Sequence, residues 1–113
     1  MSEFRELIDL LEKFRDDRDW AQFHDSKNLA LALSIEAAEL NELFLWKKDD
    51  DAEKVDKQRL REELADVFAY AIMLAGRHGL DVSEIVKEKI EQNAKKYPVD
   101  QAKGNSAKYK DLD

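Results

Sequence analysis

Apolar residues recur along most of this chain at steps of three and four. Phe4, Leu7, Ile8, Leu11 and Phe14 share one face, which predicts a first amphipathic helix over about residues 3–17. The segment DDRDWAQFHDS that follows has no period and reads as a loop, closed by a helix cap at Asp25 or Ser26. A second helix over about 27–46 carries Leu29, Leu33, Leu40 and Phe44 on its stripe and ends at Trp46. KKDDDAEKVDK is then a solvated connection, with Asp56 placed to cap a third helix over about 57–76. Gly76 to Gly79 ends that helix. Asp81 with Glu84 forms a capping box for a fourth helix over about 82–97, stopped by Pro98. Residues 98–113 read as an irregular tail.

Four helices with short connections predict an all-α fold, a four-helix bundle in a single domain spanning 1–113. The third helix stands apart from the others. Leu60, Leu64, Val67, Phe68, Ala71 and Ala75 form its stripe, but Ala65, Ala69, Ile72 and Met73 make its other faces apolar too. A helix apolar nearly all round is buried on every side, and 113 residues supply few elements to cover it. It is therefore expected at a subunit interface of a homo-oligomer. The chain has only 3 Gly and 1 Pro, too few for the turns of an all-β or doubly wound fold.

Composition narrows the partners. The 26 Asp and Glu against 19 Lys and Arg leave a net charge of −7, which argues against a nucleic-acid polymer, since such binding needs a basic footprint. The lack of Cys excludes disulfides, thiolate metal sites and cysteine nucleophiles. The N-terminus, MSEFREL, is charged from the start, and no segment approaches the roughly 20 apolar residues of a membrane span. The expectation is a soluble, cytoplasmic protein with no membrane partner.

A few charges fall where solvation does not explain them. Within LALALSIEAAEL, residues 29–40, the only charged groups are Glu36 and Glu39. At about 100° per residue Glu36 lies about 20° from Leu29, inside the apolar stripe, and Glu39 lies on its edge. From Leu64 to Gly76 the single charge is Asp66, with Glu63 three residues before it. Each helix thus offers a carboxylate pair on one face, ExxE and ExxD, and antiparallel packing would let all four converge. Two unit charges about 5 Å apart cost roughly 3 kcal/mol even at an effective dielectric near 20, so such a group requires a cation. Oxygen ligands alone select a hard ion, Mg²⁺ or Mn²⁺, over zinc. A ferritin-like di-iron site would need Glu-x-x-His pairs, and neither His24 nor His78 stands three residues after a Glu. The competing reading is ordinary ion pairing with Arg or Lys. It suits one such pair, and less well two pairs in otherwise uncharged segments.

On the fourth helix Lys89 and Asn93 fall on the apolar stripe of Val82, Val86 and Ile90, with Lys96 beside them. Snorkelling of lysine stems accounts for such positions; so does a cationic wall facing an anionic ligand. Charge distribution favours the wall, because residues 1–86 carry 12 basic and 21 acidic groups whereas residues 87–113 carry 7 and 5. An acidic metal site with a basic helix suits a metal-bound polyphosphate. Trp20, Phe23, His24 and Trp46 on their own read as core or lid packing, and next to a polyphosphate they offer a pocket for a base. His78 beside Gly79 stands at a helix C-terminus, where a dipole contact is expected.

The ordered set resembles the MazG-like family of all-α nucleoside triphosphate pyrophosphohydrolases, whose pattern of ExxE, a spacer and ExxD matches Glu36 and Glu39 followed by Glu63 and Asp66. Within that family the chain is most similar to the dCTP pyrophosphatase group, through WAQFH at 20–24, Trp46, Tyr70 and KKYP at 95–98; the resemblance spans about residues 20–109. It implies Mg²⁺-dependent hydrolysis of a (deoxy)nucleoside triphosphate, a pyrimidine such as dCTP, to the monophosphate and pyrophosphate. It also implies a homo-oligomer, a dimer or a dimer of dimers. By the same resemblance Glu36, Glu39, Glu63 and Asp66 hold the metal, and Lys89, Asn93, Lys96 and Tyr97 hold phosphates. Trp20, His24, Trp46 and Tyr70 surround the base or sugar. The tail GNSAKY at 104–109 is similar to family tails that close over phosphates, with Ala107 interrupting the expected basic run.

The expected chemistry is attack of water on a phosphorus of the triphosphate. Glu36 and Glu39 are the catalytic candidates, Glu39 accepting the proton of the water, and Lys89 and Lys96 stabilise the departing pyrophosphate. Two other readings stay open at this point. A non-enzymatic helical interaction module would leave Lys89 and Asn93 on an apolar stripe without purpose, and a nucleotide-binding sensor would keep the pocket without turnover.

Overall fold

Each of the four long helices starts on a short polar side chain that accepts a backbone N–H left unpaired by the first turn. In this computed structural model, which describes residues 2–107, Ser2 caps α1 (Glu3–Asp17) by accepting from the Arg5 N–H at 3.1 Å. Asp25 caps α2 (Ser26–Glu42) through Asn28 at 2.7 Å. After the single turn α3 (Asp49–Ala52), Asp56 caps α4 (Lys57–Arg77) through Gln58 and Arg59 at 2.9 and 3.3 Å. Asp81 caps α5 (Val82–Lys96) through Glu84 at 2.9 Å. The short α6 (Val99–Ala102) follows, and no strand occurs among the described residues. Gly79, at φ +65°, takes the left-handed position just past α4 that a side chain disfavours.

Three boundaries differ from expectation. α2 stops at Glu42, not near 46, because Leu43, Phe44 and Leu45 turn to carbonyls three residues back, at 3.0–3.2 Å, which tightens and ends the helix. Trp46 then adopts φ +65°, rare for a bulky residue. The charged connection is not wholly solvated: three Asp in the first turn favour the N-terminus of α3, and Val55 just beyond it is buried. In the tail, Pro98 begins α6, whose first turn needs no proline N–H, and its carbonyl accepts from Gln101 and Ala102. Of the GNSAKY segment, residues 108 and 109 lie outside the described residues.

The chain forms two compact units, divided between Gly79 and Leu80. In the first, α1 and α2 both pack on α4, and Ile8, Leu29, Leu43, Val55, Ile72 and Ala75 form its buried core. α1 approaches α4 closely at Gly76, where a Cβ would come within 3.2 Å of the Ile8 side chain. Leu7, Leu10, Phe14 and Phe68 remain 42 to 65% exposed and border a groove of about 410 Å³, so α4 is not fully covered within this unit. The second unit contains α5 and α6, with Val86 and Ile90 of the α5 stripe exposed. No helix among the described residues is long and apolar enough to cross a membrane.

Candidate active site

α2 and α4 run antiparallel. The imidazole Nε2 of His78, at the end of α4, lies 2.8 Å from the Ser26 hydroxyl at the start of α2, and Arg77 donates to the His24 carbonyl at 3.4 Å. His78 thus caps its own helix and ties it to α2. This pairing sets the C-terminal half of α2 against the N-terminal half of α4, and Glu36, Glu39 and Glu63 meet there. Each offers one carboxylate oxygen within 4.8 Å of the others.

Oε2 of Glu36 and Oε2 of Glu63 are buried with no hydrogen-bond partner. Burial first, then Glu39, Asp66 and Glu63, pushes the Glu36 carboxyl up from 4.5 to about 7. Glu63 is also raised, by burial and then by Glu39 and Asp66, with Arg59 offsetting only part. The alternative of ordinary ion pairs is not what this unit contains. Its ion pairs among the described residues, Arg5–Asp9, Lys13–Asp17 and Arg15–Asp16, all belong to α1. Orphaned, proton-hungry carboxylate oxygens converging from two helices fit a hard divalent cation, which would satisfy both lone pairs and charge.

Asp66 lies outside the group of three. Its charge still acts on Glu36 and Glu63, and its side chain lines an adjoining cavity of about 250 Å³. Trp20, His24 and Tyr70 line the same cavity, so three of the four base or sugar candidates come together. His24 and Tyr70 meet edge to face at 6.4 Å, and Trp20 meets Phe14 likewise at 5.8 Å. Burial and the Arg15 charge lower the His24 pKa, and the buried Nδ1 of the ring has no partner. Burial, then Glu36, Asp66 and Glu39, raise the Tyr70 hydroxyl.

Trp46 does not join this cavity. It stands 92% exposed after the turn that ends α2. Lys89, Asn93 and Lys96 belong to the second unit, where steps of four and three place them on one face of α5, exposed, with Tyr97 at its C-cap. The remaining lining, Leu11, Phe14, Arg15, Ala69 and Met73, was not among the sequence candidates. Ala69 and Met73 had a signal, since they follow Asp66 at helical spacing. The α1 residues had none, because their stripe looks like any core-facing stripe.

Proteins of known structure and sequence resemble this chain. A pyrophosphatase from Archaeoglobus fulgidus, solved by crystallography, superposes with a TM-score of 0.80 at 40% identity, over 87% of this chain and 94% of that one. The dCTP pyrophosphatase 1 proteins of Rattus norvegicus and Homo sapiens are 41% and 40% identical over 105 residues, which is 88% of this chain and 62% of theirs. The chain therefore spans less than two-thirds of the length of these curated relatives. The MazG-like family model matches residues 31–112, a span that holds all four carboxylates in their ExxE and ExxD order, and the chain belongs to the MazG-like family.

Proposed function

We propose that this chain is a nucleoside triphosphate pyrophosphohydrolase that converts a (deoxy)nucleoside triphosphate, a pyrimidine such as dCTP, to the monophosphate and pyrophosphate. The observation that carries the reading is the set of converging carboxylates with orphaned oxygens beside an aromatic cavity that shares Asp66 with their field. The dCTP pyrophosphatases and the pyrophosphatase among its relatives support it. The whole chain, 1–113, acts as one MazG-like domain.

Glu36, Glu39, Glu63 and Asp66 would hold Mg²⁺, with Mn²⁺ a substitute. When bound, the ion supplies neutralisation of phosphate charge and acidification of water. Glu36 and Glu63 are half-buried and form the inner side of the site. Glu39 is exposed, so water reaches it, and it accepts the proton of the attacking water. Trp20, His24 and Tyr70 enclose the base and sugar, and Trp46 completes the enclosure on assembly. Lys89, Asn93, Lys96 and Tyr97 hold the phosphates, the lysines offsetting charge on the departing pyrophosphate.

The protein acts as a homo-oligomer, a dimer or a dimer of dimers, which would cover the apolar groove bordered by Leu7, Leu10, Phe14 and Phe68. It is cytoplasmic and binds neither nucleic-acid polymer nor membrane, in keeping with its net charge of −7. Incubation with a panel of nucleoside triphosphates and Mg²⁺ tests the activity. Pyrophosphate release that EDTA abolishes is expected, fastest with a pyrimidine. Release of single phosphate, or no turnover of any nucleotide, would overturn the assignment.

A further inference from the structure

The cavity beside the carboxylates is polarised. Tyr70 on one wall feels the negative field of Glu36, Asp66 and Glu39, whereas His24 on another feels the positive field of Arg15. Among the described residues Arg15 is the one arginine or lysine lining this cavity. Its side chain is only 23% exposed, and its Nε donates to Asp16 Oδ1 at 2.8 Å, which uses one of the five guanidinium donors. The Arg15 carbonyl accepts from the N–H groups of Arg18 and Trp20 at 3.2 and 3.0 Å. One residue therefore both lines the cavity and sets the turn that brings Trp20 to it. Arg15 stands before the first residue of the family match.

We propose that Arg15 reads the base of the bound nucleotide, its guanidinium donating to the ring acceptors of a pyrimidine, the O2 oxygen and N3 of a cytosine. The assignment rests on the nucleotide reading given above. Arginine has donors and no acceptor, so an Arg15 side chain half-withdrawn from solvent in this wall favours a ligand edge made of acceptors and disfavours one that presents N–H groups. Apart from the polar groups of Asp66, His24 and Tyr70, the lining is Leu11, Phe14, Trp20, Ala69 and Met73, an apolar and aromatic surround that suits a flat ring. A volume of about 250 Å³ lies just below the range of roughly 300–1,000 Å³ usual for small-molecule pockets, which accommodates a single base.

The test compares wild type, Arg15→Met and Arg15→Lys for metal-free binding of dCMP by calorimetry and for KM and kcat with dCTP. Methionine keeps length and helix propensity, and thermal unfolding checks the fold; should it fold poorly, Arg15→Gln is measured in its place. Arg15→Met is expected to weaken dCMP about 10- to 100-fold and to raise KM for dCTP by a similar factor, with a smaller change in kcat. Lysine should recover part of the loss, because it keeps the charge but not the planar fork. Unchanged dCMP affinity in the folded variant would overturn the role of Arg15 and leave the nucleotide reading standing. A wild-type protein that neither binds dCMP nor hydrolyses any nucleoside triphosphate would overturn both.

Discussion

Removing one of the converging carboxylates should stabilise the protein while destroying its response to metal. In the metal-free fold the Glu36 carboxyl sits at about 7 instead of 4.5. That gap of about 2.5 pH units converts at 1.36 kcal/mol each to about 3.4 kcal/mol. Solvent reaches the half-buried side chain and screens its neighbours, so we expect one-third to one-half of this, about 1–2 kcal/mol, to survive. The folded carboxyl holds its proton more tightly than the unfolded one. Its contribution is therefore fully present below pH 4.5 and is lost as the pH rises through about 7. Glu36→Gln cannot ionise and escapes the loss. In EDTA at pH 8 the variant should unfold above wild type by roughly 5–10 °C, and at pH 5 the two should converge. Added Mg²⁺ should raise the wild type at pH 8 and the variant far less, reversing the order. Circular dichroism melts at the two pH values, with and without metal, read all of this. A variant no more stable than wild type at pH 8 in EDTA, or equally shifted at pH 5, would refute the claim that the Glu36 charge is strained in the empty fold.

Two further outcomes follow from the packing. Ile8 is 5% exposed and fills the space left by Gly76, so Ile8→Ala should cost about 2–4 kcal/mol in urea unfolding, and Ile8→Val about 1 kcal/mol; losses below 0.5 kcal/mol for Ala would show that α1 is not held there. Sedimentation at micromolar concentration should give a dimer or tetramer, and Leu10→Glu on the exposed face of α1 should lower the association state; a monomeric wild type would sink the assembly proposed here.

Much of the fold could be read from the chain because it is decided over short separations. Asp25, Asp56 and Asp81 each reach an N–H two or three residues ahead, so a cap depends on little beyond its own turn. The periodicity of the four long helices and the left-handed Gly79 are local in the same sense. The end of α2 was not legible, since Leu43 and Leu45 are good helix formers and no Gly or Pro marks the tightened turn that runs from Leu43 to Leu45. Nor was the burial of Val55, a lone apolar residue among charges that matters only once a core stands beside it.

The candidate site divides along the same line. Sequence alone determined that two helices each carry a carboxylate pair on one face in an otherwise uncharged segment, because helical spacing is a property of the backbone. It did not determine which of them meet. Glu36, Glu39 and Glu63 come within 4.8 Å of one another and Asp66 turns to the cavity, a choice set by how α2 and α4 pack. It also gave no sign that α1 would wall the cavity with Phe14 and Arg15. A helix separated from its neighbours by loops can bring any residue of its stripe to a site, and only the close approach at Gly76 decides which one it brings.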